Sequence, residues 1–518
     1  MCLGARPPSA SSCTHAMLRS LSSRLSGSRP WAPKRGISYD ILPTNNSDSR
    51  HSHAHRHSAN GNPLARFCTK PIIRLLLLVT LCLLTVHFFF GFDFLVAESN
   101  SDPNAHDPNR KPPLYTEHYL QELQHPQHNS NLPYPEGTHG RYIWYANHVH
   151  GSGWGNAMQE HLLNAYLAHE SGRAFVYNNY TWNADGSDYT DYNGHPIPSR
   201  IPIAALLRGP TAGGSWPPGD SAPRAVVKEY WDKVCPEPHA IVSDELVDAA
   251  VVDADEVMRT WVDKLRTLPG CVEITGTQIW SIWIFGSKRI LAIWDSLKKS
   301  PVITEFRWSQ LIEDGFMKNR RLFMNTGWLR DFFSSPAYPY DVIPGLLVLH
   351  IRRGDFEEHC MHFARWSSQW NGFNQFPELP DQFVPPPAAG RGQYTEEGKD
   401  IYLRHCFPDI GQIVARVAEV RATPAGNGLK RVYVMTNGKH LWIEELRKEL
   451  AKLGGWETIA SSRDLELSWE QQFVAQSVDM LIGQRAQVII GNGFSSLTSN
   501  IVMLRMAKDI PADANRFW

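Results

Sequence analysis

Apolar runs alternate with amphipathic ones along most of this sequence, and that order leaves few folds open. "GLLVLHI" (345–351), "RVYVMTN" (431–437) and "AQVIIGNG" (486–493) are near-continuously apolar, as strands are when both faces of a sheet are covered. Helical patterns follow two of them, in "KHLWIEELRKELAKLG" and "SSLTSNIVMLRMAK". Upstream, the strand-like "RYIWYANHV" leads through a glycine-rich turn into "NAMQEHLLNAYLAHESG". There Met158, Leu162, Leu163, Tyr166 and Leu167 share one helical face, and Gly172 is a natural stop. "RAFVYNN" is the next strand. "SDELVDAAVVDADEVMRTWVDKLRTL" is predicted helical with Ser243 as its cap. Strand–helix–strand order is the unit of a parallel sheet covered by helices. The expected fold class is α/β, with two halves at 141–340 and 341–518.

At 518 residues the chain is long enough for several domains. Its net charge of −1 hides a split. Residues 1–74 carry 11 Lys/Arg against Asp40 and Asp48, whereas residues 97–518 carry 40 against 49 acids. Between them Leu75 to Phe92 forms 18 residues with one His and no formal charge, enough for a membrane-spanning helix. Arg66, Lys70 and Arg74 precede it, and Asp93 and Glu98 follow. The basic side stays cytosolic, so the sequence predicts a single-pass type II protein with a lumenal body. The expected order is a disordered basic tail (1–74), an anchor (75–96), a polar stem (97–140) and the two α/β halves. A short span suits the thinner membranes of the endoplasmic reticulum or Golgi. Four cysteines fall in the body, with three possible pairings; proximity favours Cys235–Cys271 and Cys360–Cys406. Asn179-Tyr180-Thr181 is a glycosylation sequon there. The acidic body, with no clustered basic residues, argues against nucleic acid.

Three motifs carry chemistry. In "HIRRGD" a buried strand delivers Arg352 and Arg353 to its carboxyl end, followed by Gly354 and Asp355. Ligands bind at such ends in open parallel sheets, and the guanidinium fork matches phosphate oxygens. In "GNGFSSLTSN", Ser495, Ser496, Thr498 and Ser499 cluster at a predicted helix start, where hydroxyls and N–H groups suit an anion. In "GSGWGN", three glycines before Asn156 predict close approach of the backbone to a ligand or a tight turn. The stretch 361–396, rich in Pro, Gly and Trp, is expected to form a lid.

In their residues and order these blocks resemble the GDP-fucose protein O-fucosyltransferase superfamily, which includes core α-1,6-fucosyltransferases. "GSGWGNAMQEHLLNAYLAHESGRAFVY" is similar to its first glycine block, "HIRRGD" to its H-x-R-R-G-D block, and "VDMLIGQRAQVIIGNGFSSLTSNIV" to its donor block. The resemblance implies a GT-B fold, with two Rossmann-like domains facing a cleft, and metal-independent, inverting transfer from GDP-fucose to a protein Ser/Thr or a glycan hydroxyl. It implies no cofactor beyond that donor. Arg352 and Asn156 would then serve catalysis, with His350, Arg352, Arg353, Asp355, Ser495, Ser496, Leu497 and Gly155 on the donor side. Two positions depart from the pattern: Gln487 stands where the family often has an acid, and Ser152 where some members carry a glutamate base. The base is therefore open among Glu160, Asp355 and Glu357. A metal-dependent transferase using Asp253 and Asp255, or a catalytically inactive donor- or glycan-binding relative, are the competing readings.

Overall fold

The computed structural model describes residues 110–249, 251–325, 340–354, 356–387 and 392–518. The chain divides into two units, one comprising 1–42 with 112–518 and the other 43–111, of which only Arg110 and Lys111 are described. The tail, the apolar stretch 75–92 and Asp355 lie outside the described residues. Among those described, no helix is long and apolar enough to cross a membrane.

Among the described residues, regular structure is present well before 141. Helix α1 (Thr116–Leu123) follows Tyr115, which is buried and donates its hydroxyl to the Glu470 carbonyl, 355 residues away, at 2.7 Å. Buried Gln127 donates to the carbonyls of Gly213 and Ala225 at 2.8 and 2.7 Å. This segment lacks an apolar stripe because polar side chains hold it, through backbone groups elsewhere, so its composition resembles a stem. Glu122 belongs to the same pattern. It is 3% exposed and accepts the Ala204 N–H at 2.7 Å, and burial pushes its carboxyl up to about 8. An unfolded Glu ionises near 4.5. Between these values the folded chain keeps a proton that the unfolded chain has released, so stability falls as pH rises. Glu122→Gln is expected to flatten that decline, raising Tm at pH 8 more than at pH 5. An equal Tm shift at both would refute it.

The first sheet contains β1 (Tyr142–Tyr145), β2 (Ala174–Tyr177), β3 (Val226–Val227), β4 (His239–Val242) and β5 (Cys271–Thr275). All neighbours are parallel, in the order β3-β2-β1-β5-β4. Helix α2 (Trp154–Glu170) makes the crossover from β1 to β2. The helix expected from Ser243 begins later, as α3 (Ala254–Thr267). The Ser243 hydroxyl is engaged with the Thr277 carbonyl instead of capping, and opens only a three-residue 3-10 turn. Cys235 and Cys271 form a disulfide.

The second sheet contains β6 (Ile343–Ile351), β7 (Arg431–Thr436), β8 (Thr458–Ser461), β9 (Ala486–Gly491) and β10 (Asn515–Phe517). Its strands are also all parallel, ordered β8-β7-β6-β9-β10. The chain works outward from β6 to β8, then returns to the other side of β6 for β9 and β10. That reversal makes the carboxyl ends of β6 and β9 the topological switch point, where open α/β sheets bind ligands. Strand β10 was not legible in the sequence, being three residues with two of them polar.

The stretch 361–396 is not a free lid. Its described residues carry Trp370, Phe373, Phe376 and Leu379 into the core, with Trp370 packed on Phe383 and Phe517. Asp381 clamps it further, accepting from Arg516 Nε and the Phe517 N–H at 2.9 Å each. Helix α4 (Phe356–Arg365) leads into it and α5 (Glu396–Cys406) leaves it, joined by the Cys360–Cys406 disulfide. Tryptophan and phenylalanine in a Pro-rich loop are what anchor a long irregular segment to a core.

Candidate functional site

At the end of β6 both arginines are buried, against different aromatic rings. Arg353 is 7% exposed, with its guanidinium 4.3 Å from the ring centres of both Phe407 and Trp442 and a hydrogen bond to the Pro408 carbonyl. Its N–H donates to Asn437 Oδ1 at 2.7 Å, and its carbonyl accepts from Asn437 Nδ2 at 3.0 Å. These contacts fix the turn, which Gly354 completes at φ 71°. Arg352 lies over the Phe356 ring at 4.7 Å. His350 has no exposed surface; its Nδ1 is 2.7 Å from Thr498 Oγ1, and its carbonyl accepts from Trp518 Nε1 at 2.8 Å. Burial, reinforced by the nearby Arg352 charge, lowers its imidazole to about 3, so it is neutral. His350 therefore shapes the site from behind and has no surface with which to touch a nucleotide.

Leu349 stands opposite Ile490 in the sheet, so the chain leaves β6 and β9 at one level. After β9, Asn492 Nδ2 donates to the Cys406 carbonyl at 2.8 Å. A side chain at Gly493 would meet the Trp370 indole at 2.3 Å. Helix α6 (Ser496–Met506) then begins, with the Ser495 hydroxyl accepting the Leu497 N–H at 3.2 Å. The four hydroxyls of the motif divide. Thr498 and Ser499 are buried and committed, to His350 and to the Phe373 N–H respectively, whereas Ser495 and Ser496 are half-buried at the helix start.

The first glycine block meets this helix start directly. A Cβ on Gly155 would lie 2.7 Å from both Ser496 Oγ and the Leu497 backbone nitrogen. Asn500 Nδ2 donates to the Gly155 carbonyl at 2.7 Å. The close approach expected of a ligand at Gly155 is thus made by α6 itself. Asn156, next in sequence, donates to Ser152 Oγ at 2.9 Å. The structure brings Gly155, Asn156, Ser495, Ser496 and Leu497 together, beside the strand ends that carry Arg352.

Other expected residues stand elsewhere. Asp253 occupies the N-cap position of α3 and Asp255 its first turn, where it pairs with Arg259 at 3.6 Å. Acidic residues favour such a helix start. Among the described residues no group of three or more His, Cys, Asp or Glu is placed to hold a metal ion. Gln487 lies at the opposite end of β9 from the switch point, bonded to Gly345, Ala425 and Asn427, so this departure does not alter the site. Glu357 is exposed in the first turn of α4. Sequence reading missed Asn437, Asn500 and Trp370; only Asn500 had a signal, closing the "SSLTSN" run.

No family model matches the chain, and neither does any curated protein. Among solved structures it is similar to POFUT1 in complex with GDP-fucose, at 16% identity, covering 71% of this chain and 95% of that one with a TM-score of 0.39. POFUT1 in complex with GDP matches at 15% identity over 70% and 94%, TM-score 0.40. Its apo form matches at 16% over 73% and 97%, TM-score 0.39.

Proposed function

We propose that this chain is a glycosyltransferase of GT-B type that moves fucose from GDP-fucose to a hydroxyl of a protein Ser/Thr or a glycan, with inversion and without a metal. The observation that carries this reading is the meeting of the starts of α2 and α6 at the switch point of the second sheet. It places the Asn156 turn against the Ser495–Leu497 turn, at the level where Arg352 leaves β6. Breaking the sugar–phosphate bond builds negative charge on the diphosphate and positive charge on the sugar. Arg352, the Ser495 and Ser496 hydroxyls and the first N–H groups of α6 oppose the first of these charges. Asn156 faces the sugar from the other side.

In this reading the apolar stretch 75–92 anchors the chain in a Golgi or endoplasmic reticulum membrane, with the body lumenal. The disulfides Cys235–Cys271 and Cys360–Cys406 and the part-exposed Asn179 of the sequon suit an oxidising, glycosylating compartment.

A thermal-shift panel of GDP, UDP and GDP-sugars on the full chain tests the donor. GDP and GDP-fucose at saturation are expected to stabilise it by about 2–3 kcal/mol, with transfer persisting in EDTA. Stabilisation by UDP instead of GDP overturns the donor assignment, and loss of transfer in EDTA overturns metal independence.

A further inference from the structure

Helix α2 also borders a cavity of about 40 Å³ at the carboxyl ends of β1 and β2. Trp154, Ala157, Glu160, His161 and Asn164 line it at helical spacing, and His148 closes it from the loop after β1. Glu160 is the one acid in this lining. It is 4% exposed and accepts the Val149 N–H at 2.6 Å. Four residues earlier on the helix stands Asn156, so the two side chains are neighbours along α2.

The groups facing Glu160 are neutral. His148 Nδ1 lies 2.9 Å from the Tyr145 carbonyl and His161 Nε2 lies 3.0 Å from that of Thr211. A carbonyl only accepts, so these nitrogens carry the protons and the other ring nitrogens are acceptors. Burial lowers both imidazoles, His161 to about 4. Burial also raises the phenols of Tyr145, Tyr177 and Tyr180 above their usual range. With no cation against it, the Glu160 carboxyl is pushed up to about 8 by burial. Trp154, 2% exposed, has an indole N–H with no hydrogen-bond partner, so a donor in this lining is unmet.

We propose that Glu160 takes the proton from the acceptor hydroxyl during transfer. This rests on the glycosyl-transfer reading above. The acceptor O–H bond breaks and its electron pair remains on oxygen. An oxygen lone pair forms the new bond to the anomeric carbon. The bond from that carbon to the β-phosphate oxygen breaks, its pair leaving with GDP. The proton stays on Glu160 and passes to solvent after the products depart. A carboxyl titrating well above the usual range is matched to such a task near neutral pH.

The test is Glu160→Gln in the full chain, whose amide oxygen still accepts the Val149 N–H. The wild-type kcat is expected to rise with pH through the Glu160 titration. E160Q should lose about 100-fold or more in kcat, show no such rise, and keep the wild-type stabilisation by GDP. Wild-type kcat and an unchanged pH profile in E160Q overturn the assignment. If E160Q does not fold, Glu160→Asp takes its place: a reduced kcat that still rises with pH supports the role, and an unaltered kcat overturns it. A wild-type chain that GDP stabilises but that turns over no GDP-fucose sinks the transfer reading, and this assignment with it.

Discussion

Replacing Arg352 with alanine is expected to cut transfer from GDP-fucose by about 100- to 1,000-fold, the usual loss when one charge-stabilising donor is removed. The argument is positional. Arg353 is committed to Phe407, Trp442 and the Pro408 carbonyl, so it cannot turn to replace its neighbour. Its own loss would act through the fold of the turn. Arg352, 4% exposed and packed on Phe356, also has contacts to lose, so both alanine variants should lower Tm, and Arg352→Ala should lower kcat further than Arg353→Ala does. Lysine at 352 keeps the charge but not the planar fork, and should recover only part of the rate. A 352 alanine variant with the wild-type rate would refute the assignment.

The second large effect is expected at Gly155. A valine there would drive its Cβ to 2.7 Å from a backbone nitrogen and a hydroxyl on α6. The two helices would have to separate, losing the Asn500 bond to the Gly155 carbonyl. Overpacking of this kind costs about 1–3 kcal/mol, and displacing Asn156 by about 1 Å can cost about 100-fold in rate. A lower Tm together with a lower kcat is the expected result for Gly155→Val. A variant with wild-type Tm and rate would show that the contact is loose.

What the sequence revealed depended on how each element is held. Strands β6, β7 and β9 were legible because burial on both faces demands unbroken apolar runs. Helix α2 was legible because its apolar spacing begins sharply after glycine. Residues 112–140 were illegible because Tyr115, Glu122 and Gln127 bind backbone atoms far away in sequence, which leaves no periodic signal. The candidate site was half legible. Arg352 and the serine turn follow from strand ends and helix starts. The division of labour among Thr498, Ser499, Ser495 and Ser496 depends on His350 and Phe373 packing from other segments. The three glycines of "GSGWGN" announced a close approach, yet only the tertiary structure shows that α6 makes it.

That approach bears on how the chain can change over generations. Asn500 and Gly155 are 345 residues apart, but their helices share one steric boundary. Of the two atoms that a Cβ at 155 would strike, Ser496 Oγ could be deleted by mutation to glycine, but the Leu497 nitrogen is backbone and every substitution retains it. A genetic screen for second-site revertants of a Gly155 variant should therefore find no full suppressor among side chains in the first turn of α6. Relief has to come from changes that shift a whole helix, so glycine at 155 and the course of that distant turn are inherited together.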